Sequence, residues 1–395
     1  MARPRDGSAM SAVASRPSIP AERFAKRLDE AARVAGEQGF AALLVGVGPD
    51  MRYLTGYPAM PLERLTMLVI VPGTGPRLVV PRLEAAPARL SPGVSTGRTG
   101  VVTWDETDDP HGLVASLVGA GAGARIGVND RLWASHLLRI QAALPGATFE
   151  IATPVLRELR MVKDQDEIEL LRLAAHAADR VVAQIAGGKL VGRTEADVSR
   201  EVRERLLAEG HEMAEFAIVA SGPNSASPHH EASERVIRAG EPIVLDIGGA
   251  LDGYGSDITR TLWVTGGDPA RGPDPAFLTL FELVREAQAE STSAVRPGIA
   301  CERLDAVARG IIEAGGFGPQ FMHRLGHGIG LEGHEEPYLV AGNAEPLRVG
   351  AALSIEPGIY LEGRFGARIE DIVVCGEAGP ITLNEAPRDL YVVPG

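Results

Sequence analysis

The chain has 395 residues, 45% of them hydrophobic, too many for one ordinary core and apolar enough for a soluble globular protein of two domains. Its 39 Lys and Arg against 52 Asp and Glu leave a formal charge of −13, which argues against the basic face of a nucleic-acid binder and against docking on anionic membranes. No apolar run approaches the ~20 residues that span a bilayer, and two cysteines, Cys301 and Cys375, imply a reducing cytoplasm and no disulfide framework.

The opening MARPRDGSAMSAVASRPSIP is polar, rich in Pro and Ser, and lacks the apolar core of a secretory signal. It is expected to be a disordered tail over residues 1–21. PAERFAKRLDEAARVAGEQG has helical spacing and closes on Gly39. AALLVGV (41–47) reads as a buried strand, and TMLVIVP and RLVVP flank PGTG as a hairpin. A helix around Gly112–Val118, the strand IGVND, a helix near Leu132–Ala143 and the strand TFEIATP follow. Strands alternating with helices predict an α/β domain over 22–160.

From Asp164 the texture changes. DQDEIELLRLAAHAADRVVAQIAGG puts Ile168, Leu171, Ala175, Ala178, Val182 and Ile185 on one helical face, with acids in its first turn. Thr194 and Asp197 resemble a capping box before VSREVRERLLAEG. FLTLFELVREAQAESTSAV and CERLDAVARGIIEAGG are two more helices, and FAIVAS, EPIVLDIG, SDITRTLWV, AALSIEPG and RIEDIVVC are strands. Residues 161–395 therefore read as an α+β domain of helices on antiparallel hairpins.

Within it a motif recurs after about 110 residues, a duplicated half-domain and not a solenoid. IVLDIG, a Gly-rich turn and SDITRTLWV parallel ALSIEPG, a Gly-rich turn and ARIEDIVVC. Each unit is a hairpin with an acid on each arm: Asp246 and Asp257, then Glu356 and Glu370. Glycines in the turns allow each chain to reverse and set its acids side by side. Alternation puts Asp257 on one face with Thr259 and Thr261. Taken singly, each acid has a plain explanation: a strand end, a salt bridge, a turn start at Glu356, or solvated charge at Glu370–Asp371. Four carboxylates on one sheet face, however, repel strongly unless they are paired or hold metal. Between the hairpins lies FMHRLGHGIGLEGHEEP, with His323, His327 and His334. Carboxylates with a Gly-flanked imidazole at His327 suit Mn²⁺, Co²⁺ or Zn²⁺, and two such ions sharing carboxylates can activate water.

At these residues the sequence resembles the pita-bread metallopeptidases, the group of prolidase (Xaa-Pro dipeptidase), aminopeptidase P and creatinase. The resemblance extends over about 22–392. LLVGVGPDMRYLTGY is similar to that group's amino-terminal domain, and LRMVKDQDEIELLRLAA to its inter-domain junction. It implies a creatinase-type α/β amino-terminal domain with a mixed sheet, followed by a pita-bread α+β catalytic domain. It implies that Asp246, Asp257, His327, Glu356 and Glu370 bind two ions, usually Mn²⁺, with Asp257 and Glu370 bridging. It further assigns His229 of SGPNSASPHH and His334 of GLEGHEE to substrate binding and proton handling. His323 falls by the proline pocket, Arg368 of ARIED aligns with an arginine that orients the site, and EPGIY supplies Tyr360; the resemblance implies that all three take part in substrate binding. His230, next to His229, is the competing choice. Two positions depart from the pattern: Leu251 stands where many relatives have a tyrosine, and Tyr338 where some prolidases have an arginine.

The expected activity is hydrolysis of the Xaa-Pro bond of small proline-containing peptides, with Glu356 as ligand and acid/base, by a cytoplasmic homodimer. An aminopeptidase P acting on longer peptides is the near alternative; a creatinase-like amidinohydrolase and a non-catalytic peptide-binding module are remoter ones.

Overall fold

A computed structural model describes residues 18–395, so the tail expected over 1–21 lies outside the described residues up to position 17. Ile19 packs partly against the cluster containing Leu170 and Leu171, and Ala21 opens the first helix, Ala21–Glu37.

The amino-terminal domain is a six-stranded mixed sheet. Its order is Gly100–Trp104, Arg77–Pro81, Met67–Ile70, Ala42–Gly46, Arg125–Val128, Thr148–Ile151. The hairpin read from PGTG is present, with Val69 facing Arg77. Alternation sorts Ala42–Gly46 between two cores. Leu43 and Val45 meet Leu28, Ala31 and Val155 on one face, while Ala42 and Leu44 meet Val114 and Ile140 on the other. The sequence TFEIATP is strand only to Ile151; Thr153–Met161 is a helix with proline in its first turn, which fits the end of a helix and not the inside of a strand.

That helix leads into Gln165–Ala186, whose Asp164 and Glu167 form a full capping box. At the next helix, Glu195–Ala208, the Thr194 side chain accepts from the Asp197 amide, as expected of a cap there. These helices cover a four-stranded sheet in the order Tyr391–Val393, Tyr254–Val264, Glu241–Leu251, Met213–Ser221. The helices Pro275–Ala294 and Cys301–Ala314 cover the second half. That half has a five-stranded sheet (Glu335–Leu339, Gly326–Gly328, Ala352–Ile355, Asp371–Gly376, Gly379–Thr382) and the hairpin Gly358–Leu361/Phe365–Arg368. Helices thus lie outside, sheets inside, and the inner sheet faces meet. A β-bridge, Thr259 with Glu370, joins the two halves. Among the described residues no helix is long and apolar enough to cross a membrane.

Ion pairs fasten the domains together. Arg160 donates to Asp50 at 2.8 Å on its own side, and to Glu332 at 2.6 Å and Glu335 at 2.5 Å across the junction. Glu332 and Glu335 flank His334 in the chain.

Candidate metal centre

In the first hairpin an Asp-Gly turn, with Asp252 at φ 50° and Gly253 at φ 84°, reverses two eleven-residue strands. Asp246 pairs with Thr259 and Gly248 with Asp257. The two aspartates are therefore diagonal neighbours on one face, offset by two positions and not side by side. In the second unit Ile355 pairs with Asp371 and Gly358 with Arg368. Glu356 and Glu370 face each other across the gap between those pairs.

The structure brings the five expected donors together. Asp246, Asp257 and Glu370 offer oxygens within 4.8 Å of one another, and a ring nitrogen of His327 lies within the same distance of oxygens of Glu356 and Glu370. His327 Nε2 lies 3.3 Å from Glu356 Oε1 and 3.7 Å from Asp257 Oδ2. Its Nδ1 lies 3.0 Å from the Gly328 carbonyl, so the proton sits there and Nε2 keeps a lone pair toward the acids. Burial, and then His334, holds this imidazole down at about 3, neutral at physiological pH.

The acids are in electrostatic conflict. Burial, then Asp246 and Glu356, pushes the Asp257 carboxyl well above its usual range; burial, then Asp257 and Glu356, does the same to Glu370. Burial pushes Glu356 up to about 7. Asp246 Oδ1 and Glu370 Oε1 are buried without any hydrogen-bond partner. A buried carboxylate oxygen left unpaired is costly, and cations among these oxygens would satisfy both atoms and relieve the repulsion. The donor set fits divalent metal.

A hydrogen-bonded chain organises one wall. His323 Nδ1 lies 2.8 Å from the Arg324 carbonyl and Nε2 2.9 Å from the Tyr360 hydroxyl. Burial, then Arg368, holds His323 down at about 4, so it is neutral and accepts from Tyr360. Arg368 donates to Tyr360 at 2.8 Å, to Thr259 Oγ1 at 3.1 Å, to the Pro228 carbonyl at 3.3 Å and to Asp246 Oδ2 at 2.5 Å. Thr259 in turn donates to Glu370 Oε2 at 2.8 Å. Both nitrogens of His323 are thus taken by the protein. It supports the wall and presents no free nitrogen to a ligand.

His229 and His334 are exposed at the mouth. Burial, then Arg324, lowers His334, whose ring sits 3.9 Å from that of His327. His230 turns away to Glu195, at 2.8 Å. Beside His334 a cavity of about 260 Å³ opens between the domains, lined also by Arg157, Arg160 and Tyr338.

A family model described as metallopeptidase family M24 matches residues 169–377, and one described as the creatinase/prolidase N-terminal domain matches 27–162. The chain belongs to metallopeptidase family M24. It is similar to a probable dipeptidase PepE of Mycobacterium tuberculosis, 45% identical over 375 residues, 95% of this chain and 98% of that one. Among solved structures, the dipeptidase PepE from Mycobacterium ulcerans shares 45% identity at TM-score 0.88, over 94% of this chain and 98% of its own. A recombinant prolidase from Thermococcus sibiricus shares 34% at TM-score 0.86, over 95% and 99%. These matches bear out the pita-bread fold and its creatinase-type amino-terminal domain.

Several residues of this M24 centre went unread in the sequence. Thr259 was noted for its face alone, yet its hydroxyl links Arg368 to Glu370. Ser354 accepts from the His327 amide at 3.1 Å and donates to Glu356 at 3.3 Å. Arg260, on the opposite face, donates to the carbonyls of Thr259 and Glu370 at 2.9 and 2.7 Å and to Asp371 at 2.7 Å. Leu251 is buried in the cluster with Leu170 and Ile329, so this position brings no hydroxyl to the M24 site. Arg324 also escaped notice. Its guanidinium stacks 4.2 Å over the Tyr338 ring, and His334, His327 and Glu356 all feel its charge.

Proposed function

We propose that this protein is an Xaa-Pro dipeptidase, hydrolysing the bond between an amino-terminal residue and a carboxy-terminal proline. The observation that carries the reading is the buried donor cage with its two unpartnered carboxylate oxygens, in a chain similar to proteins named dipeptidase and prolidase. Asp246 and Asp257 would hold one ion, His327 and Glu356 the other, with Asp257 and Glu370 shared. Mn²⁺ suits this oxygen-rich set best, with Co²⁺ or Zn²⁺ as substitutes. When bound, the ions supply Lewis acidity and bring the pKa of water from 15.7 to about 7.

The chain's own groups do the rest. Glu356 takes the proton of the attacking water and delivers it to the proline nitrogen, which carries no hydrogen and must gain one to leave. His229 and His334, exposed at the mouth, donate to the scissile carbonyl as charge develops on its oxygen, an effect worth about 3–4 kcal/mol per donor. His323 and Tyr360 wall the proline pocket, and Arg368 keeps Asp246 in place.

Arg324 supports the dipeptide length. Among the described residues its guanidinium forms no ion pair with a carboxylate, and it stacks on Tyr338, which lines the cavity beside His334. The free carboxylate of a dipeptide would pair with it; a longer peptide has an uncharged amide there. A homodimer is proposed from the family resemblance. A cytoplasmic setting is proposed from the two free, buried cysteines.

The test is to strip the protein with a chelator, reload it with Mn²⁺, and compare Ala-Pro with Ala-Pro-Ala. Rapid cleavage of Ala-Pro that needs the metal supports the reading. Preference for Ala-Pro-Ala would make the protein an aminopeptidase, and turnover by metal-free protein would refute the scheme. In R324Q the KM for Ala-Pro should rise by about 10–100-fold, the size expected when a charge-assisted hydrogen bond to the substrate is lost.

A further inference from the structure

Glu195 lies at the first helical position of Glu195–Ala208, fully buried. Acids often sit there to meet the helix dipole, at the surface. This one points instead into the loop that carries His229. Its Oε1 accepts from the Ser221 amide and hydroxyl, both at 2.7 Å. Its Oε2 accepts from the Ser233 amide at 3.1 Å, the Ser233 hydroxyl at 2.6 Å and His230 Nε2 at 2.8 Å. The Asn224 amide spans both oxygens at 3.0 and 3.1 Å. Burial alone would raise this carboxyl, but the bonds from Ser233, Ser221 and His230 bring it down to about 2.

Ser221 and Ser233 are the two ends of the loop, and His229 stands between them. Among the described residues His229 makes no hydrogen bond of its own, so the hydrogen bonds that place it are those of its neighbours in the loop. The loop is fixed beneath by Glu195 and above by contacts with the metal-centre hairpin: the Pro228 carbonyl accepts from Arg368, and Ser225 Oγ accepts from the Gly366 amide at 2.9 Å.

We infer that Glu195 is a positioning residue for catalysis: its buried carboxylate draws both ends of the 221–233 loop together and so aims His229 at the scissile carbonyl. The inference rests on the role proposed for His229. A glutamine at position 195 keeps the shape but replaces an acceptor with a donor, so at least two of the loop's donors lose their partner. The helix and the five metal donors are left as they are.

The experiment measures kcat and KM for Ala-Pro, and bound manganese, in E195Q, S233A, H229A and the doubles E195Q/H229A and S233A/H229A. In E195Q kcat should fall about 10–100-fold, the scale for a misaimed catalytic group, with KM and manganese content held. S233A should lose about threefold, and both losses should vanish in the H229A background, because a residue acting through His229 has nothing left to aim. Equal losses in both backgrounds, loss of manganese, or unchanged kcat would overturn the inference. If E195Q does not fold, the S233A pair decides alone. H229A at wild-type activity would instead remove the reading of His229, and this inference with it.

Discussion

Glu370 and Asp371 follow one another in the chain, are 2% and 0% exposed, and face opposite ways. Glu370 turns to the metal side, where one oxygen accepts from Thr259 and the other has no partner. Asp371 turns to the back, where Arg260 holds one oxygen, and Gln288 and Arg388 hold the other at 2.8 and 2.5 Å. Burial is the same; satisfaction is not. A buried charge that the protein fully pairs serves the fold, and one left unpaired amid like charges is kept for something that binds.

That contrast can be broken most severely on the front face. E370Q should abolish turnover and metal loading, yet raise the melting temperature of the metal-free protein, because it removes one of four repelling acids. Metal analysis and thermal melts with and without chelator would check both halves. On the back face D371N should do the reverse. It should keep some metal affinity but cost about 3–5 kcal/mol in urea unfolding, because Arg260 is left buried with its charge uncompensated.

Acid titration sharpens the comparison further. Glu356 is held near 7 in the folded metal-free protein against 4.5 for a free glutamate, so folding takes up a proton as pH falls between those values. Metal-free protein should therefore gain stability from pH 7 toward 4.5, on the order of 1–3 kcal/mol. Glu195, lowered from 4.5 to about 2, has the opposite sign: its contribution is complete above 4.5 and disappears as pH falls toward 2. Metal loading should flatten the first slope and leave the second; denaturant melts across pH would show a single monotonic slope if this is wrong. The smallest effect is expected from R388Q. Arg388 is 35% exposed where it meets Asp371, so its loss should cost about 0.5–1 kcal/mol.

Much of this was written in local pattern. The acids, the Gly-flanked His327 and the Asp-Gly turn lie in short stretches whose periodicity survives folding, and the helix Gln165–Ala186 buries nearly the whole face its spacing predicts. What escaped depends on contacts distant in the chain. Arg368 reaches Asp246 across 122 positions, and Arg160 reaches Glu335 across 175. Nothing around Arg324 shows that Tyr338 will lie beneath it. The short helices Pro49–Thr55 and Thr153–Met161 went unread because a segment of seven or nine residues is helical by virtue of what it packs on. The strand Gly100–Trp104 was missed because its partner Arg77–Pro81 runs parallel to it, with no hairpin turn to announce the pair.

Arg260 grips carbonyls of Thr259 and Glu370 from behind the sheet, one from each half of the cage, and also those of Ala386 and Pro387 near the end of the chain at 2.7 Å each. The scaffold that spaces the ligands is thus stapled on a side no ion touches. An enzyme emptied by a chelator would hold its mould, and a fresh pair of cations would drop into it as fast as they can shed their water.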